Sequence, residues 1–148
     1  MAVCELNDDM ISVKPNTTRL LIKNATYYSE AAHVFYRDGY YYFTWSKNDT
    51  RSVDYEVRYV RSKSPVGPIE PSESQVILCK KPDQGIFATG HHSVMQLPGK
   101  DEWRIVYHRF KFPDAVTMGR KAGFHREVCI DKMEFDEDGK IKRITPTL

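Results

Sequence analysis

One stretch constrains this chain more than any other: Ser29 to Ser46, reading SEAAHVFYRDGYYYFTWS. Asp38-Gly39 stands between two runs rich in aromatic and β-branched residues. A two-residue Asp-Gly turn needs positive φ, which glycine adopts without steric penalty, so the pair predicts a hairpin with strands over 32–37 and 40–46. An acid, Glu30, sits at the entrance of the first strand, where the end of a sheet meets solvent. That place suits a working acid and, by chemistry alone, equally a solvated one.

The rest of the chain reads as more of the same. Tyr55-Glu56-Val57-Arg58-Tyr59-Val60-Arg61 alternates with period two, so one face is buried and the other wet. With a further strand over 75–79, residues 32–79 form one four-stranded antiparallel unit. A second unit is expected from strands 89–97, 102–109, 127–135 and 141–145, with turns at Pro98–Asp101 and Asp136–Gly139. Before them, 2–6 and 19–23 read as short strands around the turn cluster Asn7-Asp8-Asp9. Residues 110–125 form a long loop without a clear period, with a turn at most over 117–122. Two four-stranded units about 50 residues apart fit propeller blades, and a single sandwich fits almost as well.

Composition removes several functions. The 148 residues carry 22 basic and 20 acidic side chains, interspersed, for a net charge of +2. Nothing in that balance steers toward nucleic acid or an anionic membrane. The basic residues Arg104, Arg109, Lys111, Arg120 and Lys121 are broken by apolar ones and read as solvated surface. No apolar run is long enough to span a bilayer, and the polar N-terminus shows no signal peptide. Three cysteines, Cys4, Cys79 and Cys129, lack metal spacing and read as buried thiols. Aromatics make up 12 % of the chain, which suits both sugar stacking and a β core.

Glu30-Ala31-Ala32-His33 followed by Tyr36-Arg37-Asp38-Gly39-Tyr40-Tyr41-Tyr42 resembles the general-acid segment of glycoside hydrolase family 43, the five-bladed β-propeller xylosidases and arabinofuranosidases. Ala32 stands where proline is common. Three further segments agree in order: Tyr55–Tyr59 leading to Ser62–Pro68, then Gly90-His91-His92-Ser93-Val94, then Arg126–Asp131. The resemblance runs from about Leu6 to the C-terminus. It implies an all-β fold of antiparallel four-stranded blades forming part of a five-bladed propeller: the end of one blade over 1–28, a blade bearing the acid over 29–82, and the last blade over 83–148.

The resemblance also implies chemistry. Glu30 matches the general acid of an inverting glycosidase, whose base would be an aspartate upstream of this chain; alone, the chain is then expected to be inactive. Inverting enzymes hold the two carboxyls roughly 6.5–9.5 Å apart, leaving room for a water. Arg126 matches an arginine that reaches the sugar, and its fork suits bidentate polar contacts; a surface salt bridge with Glu127 or Asp131 is the plainer alternative. His91 matches a histidine that helps hold a calcium ion, though calcium prefers oxygen ligands. Trp45 and Phe87 are candidate pocket walls for substrate, or core. His92 falls on the opposite face of its strand from His91 and reads as structural. The implied partner is a xylose- or arabinose-containing carbohydrate, with self-association or N-terminal blades completing the propeller, in a parent protein that is periplasmic or secreted. A non-catalytic, sugar-binding or self-assembling half-propeller is the alternative.

Overall fold

The computed structural model describes residues 1–148, the side chains of Asp114 and Val116 excepted. Strand β1 (Ala2–Val3) pairs with β2 (Arg19–Leu20) in a small antiparallel ladder. A four-stranded antiparallel meander follows: β3 (Glu30–Arg37), β4 (Tyr40–Lys47), β5 (Glu56–Ser62) and β6 (Gln75–Leu78). A three-stranded meander ends the chain: β7 (Gly90–Gln96), β8 (Trp103–Phe110) and β9 (Arg126–Met133).

The Asp-Gly turn closes the β3–β4 hairpin as expected. Both residues have positive φ, 48° at Asp38 and 82° at Gly39, the signature of a type I′ turn whose twist matches that of the strands. Arg37 pairs with Tyr40 across it, and the register runs regularly back to His33 opposite Thr44.

Strand β4 is buried on both faces. Tyr42, Thr44 and Ser46 alternate with Phe43 and Trp45, and all five are buried. Side chains alternate across a strand, so the two sets serve two layers. Phe43 and Trp45 pack with Ile22, Tyr27 and Tyr28 of the N-terminal segment. Tyr42 joins Val57, Tyr59, Val94, Trp103, Ile105 and Tyr107 in the core between the two larger sheets.

The seam between those sheets is also polar. The His91 backbone N–H donates to Ser46 Oγ at 2.9 Å, His92 Nε2 meets Thr44 Oγ1 at 2.7 Å, and the Val94 N–H donates to His33 Nε2 at 3.3 Å. These bonds seat β7 against β3 and β4. The first strand of each sheet carries an irregularity at the same place. Glu30 pairs with Ser46 and His33 with Thr44, so three steps on one strand face two on the other; Gly90–His108 and Ser93–Val106 repeat the shift. The residue after each opening pair, Ala31 or His91, is left-handed, at φ 57° and 51°.

Four expectations need correction. Residues 141–145 do not form a fourth strand on the second sheet. They meet β9's extension by the single bridge Phe135–Ile141, then cross to the first sheet, where the Ile144 N–H donates to the Ile77 carbonyl at 2.8 Å. The reason is burial: Ile141 and Ile144 enter the core between the two sheets, and the Ile141 N–H donates to Tyr59 Oη at 3.1 Å. Beyond them the tail returns to β9, where Asp131 accepts from Tyr107 Oη at 2.7 Å and from Thr147 Oγ1 at 2.6 Å. Arg109 is no solvated surface charge. It is buried, paired with Glu127 at 2.8 Å, and donates to the Thr147 carbonyl at 2.6 Å. Residues Asp114–Phe124 form 3₁₀ turns, broken at Gly119, rather than a plain loop. The three cysteines are free but only partly buried, and Cys79 Sγ accepts from Arg143 Nη2 at 2.6 Å.

Candidate functional site

The side chains that could do chemistry gather where β3 and β7 begin. The β3 irregularity places Glu30 at the strand's mouth, its side chain 42 % exposed. Tyr55, just before β5 and fully buried, donates its hydroxyl to Glu30 Oε1 at 2.7 Å. His91 is brought to the same carboxylate by the β7 irregularity, with Nδ1 3.6 Å from Oε1. His108 of β8 stacks between them, its ring centroid 5.8 Å from Tyr55 and 5.7 Å from His91.

Arg126 completes the cluster. Its Nη1 lies 3.0 Å from His108 Nε2, and its Nε donates to the Gly123 carbonyl. Of the two carboxylates weighed as salt-bridge partners, Glu127 pairs with Arg109 and Asp131 accepts from Tyr107 and Thr147, and among the described residues neither pairs with Arg126. Arginine is a donor only, so His108 Nε2 must accept and the imidazole proton sits on Nδ1. Burial lowers the His108 pKa to about 4, with the Arg126 charge adding to the effect, so the ring stays neutral.

Beside Glu30 lies an open hollow of about 500 Å³, lined by Ser29, Asn48, Asp49, Thr50 and Arg51. Asp49 is a second carboxylate there, but Arg51 engages both its oxygens, Nε to Oδ1 at 2.9 Å and Nη2 to Oδ2 at 2.6 Å. Those bonds hold Asp49 far below the usual carboxylate range. A carboxylate so stabilised is a poor proton acceptor.

A half-exposed carboxyl at a strand mouth, a phenol fixed on one of its oxygens, and an arginine held by a neutral histidine make an arrangement able to deliver a proton to a bound polyol. Comparison with known proteins gives the family. The model of glycosyl hydrolases family 43 matches residues 1–141. The chain belongs to this family. A curated relative, the β-D-galactofuranosidase xynD of Aspergillus niger, is 34 % identical over 146 residues, covering 99 % of this chain and 39 % of its own length. The non-reducing end α-L-arabinofuranosidase BoGH43B of Bacteroides ovatus is 34 % identical over 107 residues, 71 % of this chain and 19 % of its own. Among solved structures, a thermostable family-43 glycoside hydrolase superposes with a TM-score of 0.79 at 29 % identity, covering 99 % of this chain and 47 % of that one. The family-43 chain therefore spans well under half the length of the curated relatives it matches, and its sheets are part of a β-propeller.

Within this family-43 frame the structure brings Glu30, His91 and Arg126 together. Phe87 is partly buried against the Tyr55, Ala88 and Phe110 cluster, adjacent to the site. Trp45 stands apart: it is fully buried on the face of β4 opposite Ser46, and its indole N–H donates to the Tyr27 carbonyl at 2.6 Å. It packs in the core and lines no cavity near Glu30. Calcium fits poorly. Among the described residues no group of three His, Cys, Asp or Glu side chains converges as a metal site, and calcium asks for several oxygen ligands.

Sequence reasoning missed Tyr55 and His108. Tyr55 shares the buried alternation of Val57 and Tyr59 and so reads as core. His108 lies between Tyr107 and Arg109, with nothing local to set it apart.

Proposed function

We propose that this chain carries the proton-donating part of an exo-acting glycosidase that removes terminal furanosyl or xylosyl units from poly- or oligosaccharides with inversion. The observation that supports it is Glu30, half exposed, with one oxygen engaged by a buried tyrosine and a polar hollow at its side. Glu30 protonates the departing glycosidic oxygen, and Arg126 and His91 hold hydroxyls of the sugar. The water-activating carboxylate comes from elsewhere in the completed propeller, since Asp49 is locked to Arg51. Furanosides are favoured because the curated relatives are named for arabinofuranose and galactofuranose. The α-L-arabinofuranosyl and β-D-galactofuranosyl rings share their configuration and differ in the exocyclic arm.

The test is hydrolysis of nitrophenyl α-L-arabinofuranoside, β-D-galactofuranoside and β-D-xyloside. Two proteins are assayed: the 148-residue chain, and a chimera in which it replaces the matching 39 % of the xynD relative. The chain alone should be inert. The chimera should turn over a furanoside, and on a furanosyl disaccharide, whose leaving group needs protonation, it should lose at least about 10²-fold activity as Glu30→Gln, the scale of general acid catalysis. Full activity in Glu30→Gln would sink the reading.

A second reading draws on β9, where Val128 and Ile130 are 74 % and 61 % exposed on one face. An apolar sheet face of this kind favours association, so the chain alone should run as a dimer in light scattering, whereas a stable monomer would exclude it.

A further inference from the structure

We propose that Tyr55 is a positioning residue for proton transfer: by occupying Oε1 of Glu30 it leaves Oε2 as the oxygen that carries and delivers the proton. This rests on the reading of Glu30 as the acid. The donor is unusually well fixed. Tyr55 is fully buried, while the carboxyl it holds is 42 % exposed. Its ring lies parallel to His108, at 11°. It also packs on the backbone at Gly90, the cross-strand partner of His108, where a Cβ would overlap the ring. The ring is thus wedged by two close neighbours, and its hydroxyl is held on Oε1.

The other candidates for Oε1 do not compete. His91 Nδ1 stands at 3.6 Å, beyond hydrogen-bond reach, and among the described residues no donor reaches Oε2. Burial above all, with the neighbouring Glu30 charge, pushes the Tyr55 phenol well above its ordinary range, so it keeps its proton throughout. The two carboxyl oxygens are then unequal. Oε1 accepts from a fixed donor before and after the reaction. The Oε2–H bond breaks, its proton passes to the glycosidic oxygen, and that oxygen takes the electron pair of the breaking C–O bond. The carboxylate left behind retains the Tyr55 bond, so it neither rotates nor recaptures the proton through the wrong oxygen.

The test separates positioning from mere packing. In the active chimera, Tyr55→Phe keeps the ring in its slot and removes only the hydroxyl; a melting curve confirms the fold. The variant is assayed on a furanosyl disaccharide, whose sugar leaving group needs protonation, and on a dinitrophenyl furanoside, whose phenol leaves unaided. Tyr55→Phe should lower kcat on the disaccharide by about 10-fold or more, a part of the general-acid contribution, with KM unchanged and the dinitrophenyl rate nearly intact. Equal losses on both substrates, or none on either, would overturn the proposal. In the 148-residue chain itself, the ¹³Cζ resonance of Tyr55 should move in Glu30→Ala; an unmoved signal also counts against it. Glu30→Gln run beside these distinguishes the failures. If Glu30→Gln spares the disaccharide, the acid assignment is wrong; if it abolishes that activity while Tyr55→Phe leaves it untouched, only the role of Tyr55 is wrong.

Discussion

His92 and Thr44 meet across the seam of the two sheets, Nε2 to Oγ1 at 2.7 Å. Thr44 spends its one hydroxyl proton on the His33 carbonyl, 3.0 Å away, so it must accept from His92 Nε2–H. His92 Nδ1 is then a bare acceptor, buried and without a partner. Protonating it means burying a charge with nothing to meet it.

A pH dependence of stability follows. Burial lowers the His92 pKa from 6.5 to about 3, with the nearby His33 and His91 adding to the effect. The unfolded chain binds this proton below about 6.5 while the folded one refuses it, so the contribution is complete above that pH and is lost on acidification toward 3. His33 shifts in the same direction, again by burial. Melting temperature should fall as pH drops from 7 to 4, at up to about 1.4 kcal/mol per pH unit for each linked proton. In His92→Gln the slope should flatten, and an equally steep slope there would contradict the assignment.

Gly90 is required by space. A methyl group there would collide with the Tyr55 ring, and overpacking a filled site typically costs about 1–3 kcal/mol. Urea unfolding of Gly90→Ala should show a loss of that size. Most of it should return in the Gly90→Ala/Tyr55→Ala pair relative to Tyr55→Ala alone, because the two residues share one slot.

Asp131 anchors the C-terminal tail through Tyr107 and Thr147. Asp131→Ala leaves the buried Tyr107 hydroxyl unpaired, at a cost of about 1–3 kcal/mol. Hydrogen exchange should show faster amides at Ile141 and Ile144 in the variant, both of which bond to the first sheet. Unchanged protection would mean that the tail holds by its apolar contacts alone.

The tautomer of His108 is open to direct observation. Nitrogen NMR should find the proton on Nδ1, with the ring neutral at pH 5, since its pKa lies near 4. In Arg126→Ala the constraint on Nε2 disappears, and the Nε2–H tautomer should gain population.

The hairpin, the alternation of β5 and the acid at the head of β3 were all legible, because each depends on residues adjacent in sequence. Asp38-Gly39 dictates a turn through local sterics, and Glu30 is visible through the pattern around it. What could not be read were partnerships across long separations. Tyr55 reaches back 25 residues to Glu30, and Arg109 reaches 38 forward to Thr147. Trp45 looked like a pocket wall because aromatics serve cores and sugars alike; only the sheet's layering decides between them. The fourth strand expected over 141–145 failed for a related reason: its β pattern was real, but Tyr59 and Ile77 drew that segment onto the neighbouring sheet.

The matching irregularities of β3 and β7 make the meeting of Glu30 and His91 a product of repetition. Each larger sheet opens with the same three-against-two step and the same left-handed residue behind it, yet one step displays a carboxyl and the other an imidazole. Rotating one sheet onto its neighbour would carry Glu30 onto Gly90 and Ala31 onto His91. The repeat thus supplies equivalent sockets, and this chain fills them unequally: a carboxyl in one, and in the next an empty place that the Tyr55 ring enters. Two sheets of unequal size thus share one local geometry and differ in the side chain that stands at its mouth.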